Sequence, residues 1–264
     1  MYRQVLIFLF LVCLAGFAQA KRVVVEDFES YEVGKFPRHD GEPNGFGKGW
    51  GIFARNFLNT DIYKVRLENG NKYLEAFVDD RVSSQSEEID NDMDVKITRI
   101  TKEHHFDFRA LPYVRWKWRV HEFPSNSQED VQYLNDSAAA VYIVFFKRGL
   151  VGSQKIIQYI WSRVLQPGRV FPNPSFNESF PTYFKIIRSG EGPSDANGQP
   201  LWVDDEVNIQ RDFQEIILKN HPQINESEYE AFGVLISSDA NNTNSSAKAD
   251  YDDIFVSSSP TLSY

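Results

Sequence analysis

The chain has 264 residues, 42% hydrophobic and 25% charged, a balance that suits a folded globular protein and excludes a disordered, collagen-like or disulfide-scaffold architecture. Aromatic residues make up 14% of it, with 21 Phe, 12 Tyr and 5 Trp; such side chains pack well on pleated sheets, so the composition favours an all-β chain over a helical bundle. The formal net charge is −9, and −10 once Arg3 is removed with the leader, which argues against nucleic acid and anionic lipid as partners.

Residues 1–20 read as a secretory signal. Arg3 supplies a basic start, Val5 to Phe17 is almost wholly apolar, and Ala18-Gln19-Ala20 has the small-x-small pattern of a cleavage site. The expectation is cleavage after Ala20, leaving a single domain over 21–264 that is periplasmic or secreted. The apolar run is too short to act as a spanning helix, so no membrane insertion is expected after cleavage. Cys13 is the only cysteine. It lies inside the leader behind Val12, where a lipoprotein signal wants a small residue, so the mature chain can form no disulfide, thiolate nucleophile or cysteine metal site.

Val23 to Phe28 is β-branched and reads as a first strand. Gly34 to Gly51 holds Pro37, Gly41, Pro43, Gly45, Gly47 and Gly49 and reads as a loop anchored by Trp50. Tyr63 to Leu67, Tyr73 to Val78 and Val95 to Ile100 follow as short strands. The strongest β signals are Tyr113 to Val120, Ala138 to Phe146 and Lys155 to Ser162, bounded by Pro112, Pro124, Gly149, Gly152 and Pro167. Thr182 to Ser189, Phe232 to Ser237 and Asp252 to Val256 complete the series. One helix is expected over Val207 to Leu218, where Val207, Phe213, Ile216 and Ile217 share a face and Asp204 and Asp205 precede the amino terminus. This pattern predicts an all-β fold: a two-sheet antiparallel jelly-roll sandwich, concanavalin A-like or galactose-binding-like, with one covering helix.

The most unusual stretch is Arg115-Trp116-Lys117-Trp118-Arg119. Strand alternation puts Trp116, Trp118 and Val120 on one face and Arg115, Lys117 and Arg119 on the other. Two readings are open. The tryptophans fill the core while the cations pair with cross-strand carboxylates, or the basic row lines a concave face that holds a carboxylate or sugar hydroxyls. Tyr142, Gln158 and Arg188 on other strands could join that face. Tyr159 and Trp161 share a side of their strand and fit core packing better than a sugar platform. Asp239 ends an apolar strand and suits a ligand contact or a turn equally. Glu88, Asp90 and Asp92 resemble the carboxylate set of laminarinase-type glycosidases only weakly and read as a loop. The five histidines form no zinc pattern, His104 and His105 pointing to opposite faces, and no GxSxG elbow occurs.

Five segments carry a family resemblance: Leu111-Pro-Tyr-Val-Arg-Trp-Lys-Trp-Arg-Val120, Asn135-Asp-Ser-Ala-Ala-Ala-Val-Tyr-Ile-Val-Phe145, Ile157-Gln-Tyr-Ile-Trp161, Ser237-Ser-Asp-Ala-Asn-Asn-Thr243 and Tyr251-Asp-Asp-Ile254. In this order they resemble the bacterial exported family known as domain of unknown function 3047. The resemblance implies an exported β-sandwich and brings no established activity. Glu26-Asp-Phe-Glu29 and Asp252-Asp-Ile-Phe-Val256 are similar to the ends of carbohydrate-binding jelly rolls, where first- and last-strand carboxylates meet around a structural calcium. That likeness implies Asp27, Glu29 and Asp253 as calcium ligands, with solvated acids as the other reading. The functional expectation is a noncatalytic sandwich that binds a glycan, including an acidic sugar, or another cell-surface ligand. A glycan-cleaving enzyme and an envelope assembly protein are the alternatives.

Overall fold

A computed structural model describes residues 20–37, 50–53, 62–83, 96–98, 105–149, 153–175 and 181–262. Residues 1–19, Glu88, Asp90, Asp92 and His104 lie outside them. Two sheets stack face to face. Sheet A joins β11 (Val203–Asn208), β6 (Tyr113–Glu122), β13 (Ser246–Ser257), β4 (Asn71–Asp79) and β3 (Tyr63–Glu68) in that order, with β1 (Arg22–Glu26) paired to the far part of β13. Sheet B runs β2 (Gly51–Phe53), β5 (Lys96–Thr98), β12 (Tyr229–Ser237), β7 (Ala139–Lys147), β8 (Lys155–Ser162), β10 (Thr182–Ser189) and β9 (Val170–Pro172). The chain passes back and forth between the sheets, and its first and last strands pair, as in a jelly roll. The all-β sandwich expected from the sequence is therefore present.

The core lies between the sheets and follows from two-residue alternation. On β6, Val114, Trp116, Trp118 and Val120 point inward and are buried. Trp116 meets Tyr159 at 5.9 Å between ring centroids, and Trp118 meets Trp161 at 5.5 Å. The rings of β6 and β8 thus span the interior, and Tyr159 and Trp161 are core residues. Each such side chain removes 150–250 Å² or so from water, roughly 4–6 kcal/mol of transfer free energy before entropy is counted. A second apolar cluster, Ala140, Tyr142, Val144, Ile160, Leu165, Phe184, Ile186 and Leu235, covers the outer face of sheet B.

Three local expectations differ. The first concerns Val207 to Leu218. Val207 lies within β11, which ends at Asn208, and helix α2 starts only at Ile209 (Ile209–Asp212), continuing as a π-helical segment, Phe213–Leu218. Asp204, Asp205 and Glu206 belong to an edge strand because each side chain finds a partner there: Arg115, Trp118 with Arg188, and Thr261. Asn208, whose side chain accepts from Arg211 N–H at 2.9 Å, is the actual N-cap. The second concerns strand direction. β8 and β10 are parallel, because β9 takes the edge and β10 returns between it and β8. The third is the last strand, which begins at Ser246, six residues earlier than Asp252, where Ser246 pairs with Asp79.

Candidate ligand-binding face

The outward face of sheet A carries a ladder of charges. β6 supplies Arg115, Lys117, Arg119 and His121 at alternate positions, and the neighbouring strands set a carboxylate beside each cation. Arg115 donates to Asp204 at 2.6 Å, and Lys117 to Asp253 at 2.7 Å. Arg119 Nε donates to Asp250 at 2.7 Å and Nη1 to Glu68 at 3.0 Å. The sequence expectation of a cationic row on one face is correct in geometry, and the cross-strand pairing reading holds for all three members.

Arg119 is the rung that differs. Its guanidinium lies 4.5 Å from the Trp202 ring centroid and 5.1 Å from that of Tyr73, and the two rings meet edge-on at 5.4 Å. Asp250 is buried, with only 1% of its surface exposed. One of its oxygens takes both Arg119 and His121 Nε2, each at 2.7 Å, while Oδ1 has no partner among the described residues. Trp202 Nε1 reaches Glu68 at 3.4 Å. Register explains the convergence: Arg119 sits opposite Asp250 on β13, and Asp250 sits opposite Glu75 on β4, with Tyr73 two residues along on the same face.

Electrostatics on this face follow burial and pairing. Burial first, then the Asp250 charge, push the Tyr73 hydroxyl up. Burial pushes Glu75 up as well, but hydrogen bonds from Lys248 and Arg66 outweigh it and leave the carboxyl below its ordinary range. The hydrogen bond to Asp253 raises Lys117. Burial lifts Asp252 to about 6; it is held by the Asn71 amide at 2.8 Å and the Asp253 N–H at 2.8 Å. The face therefore alternates strong donors and acceptors across β11, β6, β13, β4 and β3, with a half-exposed aromatic pair at one end.

Other expected site residues lie elsewhere. Tyr142 and Gln158 face each other on β7 and β8, on the outer side of sheet B, so both sheets separate them from the Arg row. They cannot share a surface with it, because strand order put β7 and β8 in the second sheet. Arg188 belongs to sheet B too, but it points inward and donates to Asp205, which also takes Trp118 Nε1 at 2.8 Å. Burial raises Asp205 despite these donors. Asp239 accepts from Asn241 N–H at 3.3 Å while its own N–H goes to Ser137 O at 2.9 Å, which is turn geometry.

The calcium trio does not converge. Asp27 takes the Glu29 N–H at 3.2 Å, Glu29 takes the Lys72 N–H at 2.8 Å, and Asp253 takes Lys117. Among the described residues, no group of three His, Cys, Asp or Glu side chains could hold a metal ion. Asp252, Asp250, His121, Tyr73, Glu68 and Trp202 are the residues that sequence reasoning missed. Trp202, in Gln-Pro-Leu-Trp, lies outside any periodic segment, so no sequence signal placed it beside Arg119. Asp250 and His121 lie just outside the expected strands Asp252 to Val256 and Tyr113 to Val120, so neither was placed on this face from the sequence.

The sequence profile of DUF3047, described as a protein of unknown function, matches residues 52–255. No curated protein sequence matches the chain. Among solved structures, the chain is similar to endoglucanase 3 from family GH12 of Trichoderma harzianum at 11% identity, over 91% of this chain and 97% of that one, with a TM-score of 0.39. It is similar to endoglucanase cel12A from Rhodothermus marinus at 10% identity, over 74% and 85%, with a TM-score of 0.41. The family 29 carbohydrate-binding module CBM29_1 from Piromyces equi matches at 12% identity, over 91% and 92%, with a TM-score of 0.31.

Proposed function

The chain belongs to the DUF3047 family, and on that premise we propose that it is an exported, noncatalytic protein that holds a glycan on the outward face of sheet A. The observation that carries this reading is the Arg119 guanidinium set against Trp202 and Tyr73 while bonded to Asp250 and Glu68. A half-exposed indole such as Trp202 can give a sugar ring a flat apolar contact, and the charge ladder beside it offers donors and acceptors to hydroxyl groups. Because Arg115, Lys117 and Arg119 each already hold a carboxylate, an acidic sugar would have to displace Asp204, Asp253 or Asp250. A neutral polyhydroxylated chain needs no such exchange, so neutral glycans are the expected ligands.

The test is a glycan array followed by calorimetry on the strongest neutral and acidic hits. Trp202→Ala should weaken a neutral hit at least tenfold with little change in melting temperature, since Trp202 is only half-buried. Binding unchanged in this variant removes the face as the site. Export is tested by intact mass: protein recovered from the periplasm or medium should begin at Lys21, and recovery of uncleaved protein from the cytoplasm refutes it.

One observation favours a glycan-cleaving reading. Glu68 and the buried Asp250 share the Arg119 guanidinium, which brings together two carboxyl groups, the pair of residue types that glycoside hydrolysis uses. Release of reducing ends from an array hit, lost in Glu68→Gln, would establish that reading; binding without release supports the noncatalytic one.

A further inference from the structure

A groove on the other side of the molecule is built from different chemistry. It encloses about 590 Å³ between Val170 of β9, Lys185 of β10 and the helical residues Glu215, Ile216, Lys219 and Asn220. Beside β6, helix α2 and its π extension cover part of the inner face of sheet B: Phe213 meets Phe145 of β7 at 4.9 Å between ring centroids, and Asp212 is reached by Tyr159 of β8 and Lys185 of β10. β9 projects beyond this cover as the edge strand, with Val170 exposed.

Lys185, which lines the groove, is tied to a buried ionic chain. Lys185 Nζ donates to Asp212 Oδ1 at 2.6 Å, the Tyr159 hydroxyl donates to Asp212 Oδ2 at 3.0 Å, and Asp212 has no exposed surface. Burial, followed by the Asp212 charge, pushes Tyr159 well up, so it stays a neutral donor. Taking an ion pair out of water is costly, and apolar side chains of the same volume commonly serve stability as well or better. A lysine held in this way in the lining of an open groove, with one of its three N–H donors occupied by Asp212, is oriented for a ligand. The wall is unusual as well. Six residues of π-helix, Phe213–Leu218, adopt a rare geometry that is frequent at functional sites, and this segment supplies Glu215 and Ile216.

The lining sorts by charge. Lys185 and Lys219 are donors, and Glu215 is an acceptor. Asn220 spends its amide N–H on Ile216 O at 2.7 Å, which leaves Oδ1 as its free acceptor. Val170 and Ile216 are aliphatic, and no aromatic ring is among the described lining residues. We infer that this groove binds a free α-amino acid with a small aliphatic side chain. The carboxylate docks on Lys185 and Lys219, the ammonium on Glu215 and Asn220 Oδ1, and the side chain between Val170 and Ile216. Charges of both signs select a zwitterion over a simple anion or amine. The absence of a ring removes the platform a sugar would use.

Calorimetry with L-valine tests this, with D-valine to read handedness and with isovalerate, isobutylamine and glucose as probes lacking one or both charges. Valine should bind saturably, and isovalerate and isobutylamine at least tenfold more weakly. Val170→Trp, at an exposed edge position, should fill the groove and abolish valine binding without unfolding the protein. Lys185→Met should weaken it at least tenfold. Trp202→Ala should leave valine binding unchanged, so the fate of the glycan face is read separately. No saturable valine binding, equal binding of valine and isovalerate, or normal binding by the Val170→Trp variant overturns the proposal.

Discussion

Replacing Arg119 by Ala should destabilise the protein far more than replacing Lys117, two residues along the same strand face. The Arg119 side chain is 9% exposed and its partner Asp250 only 1%, whereas Lys117 and Asp253 are 36% and 37% exposed. Removing one member of a buried pair strands the other charge, a loss of about 3–5 kcal/mol. His121 Nε2 still reaches Asp250 at 2.7 Å, which places the expected cost of Arg119→Ala at the low end, about 3 kcal/mol. An exposed pair such as Lys117 with Asp253 contributes about 0–1 kcal/mol. For a domain of this size each kcal/mol moves the melting temperature by roughly 2–4 °C, so Arg119→Ala should lower it by about 6–12 °C and Lys117→Ala by about 4 °C at most. Urea unfolding at neutral pH measures both free energies directly. The double variant Arg119→Met/Asp250→Leu should recover much of the loss, because it removes both charges together. A cost below about 1 kcal/mol for Arg119→Ala, or one equal to that of Lys117→Ala, would refute the claim that burial controls the strength of this ladder.

Glu129 is buried beside Ser162, which donates to it at 2.6 Å, and burial lifts its carboxyl from 4.5 to about 7. A raised acid stabilises the fold fully below its unfolded value, and that contribution is lost as pH climbs through the folded value. Stability should therefore fall between about pH 4.5 and 7 on this account, and Glu129→Gln should flatten that fall and gain about 1–3 kcal/mol at pH 8; identical urea midpoints for both proteins from pH 5 to 8 would contradict it. A Cβ added at Gly192 would lie 2.8 Å from the Trp161 ring, whose indole N–H is pinned to Gly190 O at 2.9 Å, so Gly192→Ala should cost about 1–3 kcal/mol, and an unchanged thermal melt would show that the ring can yield. Glu29 and Asp253 already hold Lys72 and Lys117, so adding calcium or a chelator should leave the melting temperature unchanged; a rise of several degrees with calcium would restore the clasp of Asp27, Glu29 and Asp253.

The sequence by itself determined those features that depend on period and side-chain class. A two-residue alternation in residues 113–120 was enough to separate Trp116 and Trp118 from Arg115, Lys117 and Arg119, because a strand has only two faces and indoles leave water more readily than guanidinium groups. β8 and β10 were legible from their β-branched and aromatic content, with bounds that match the structure. What lies beside a strand is not encoded in its own period. Whether Arg115, Lys117 and Arg119 were free or paired depended on β11 and β13 becoming the neighbours of β6. The acids of β11 had read as a helix start, because Asp and Glu before an apolar periodic run satisfy a helix amino terminus as well as they satisfy a cross-strand cation. Tyr142, Gln158 and Arg188 were assigned to the basic row on face alone, and strand order moved them to the other sheet. The Trp202, Tyr73, Arg119 and Asp250 cluster draws on four separate segments. Only long-range register could assemble it, since each pairing is chosen by the burial of the opposite face and not by the outward residues themselves.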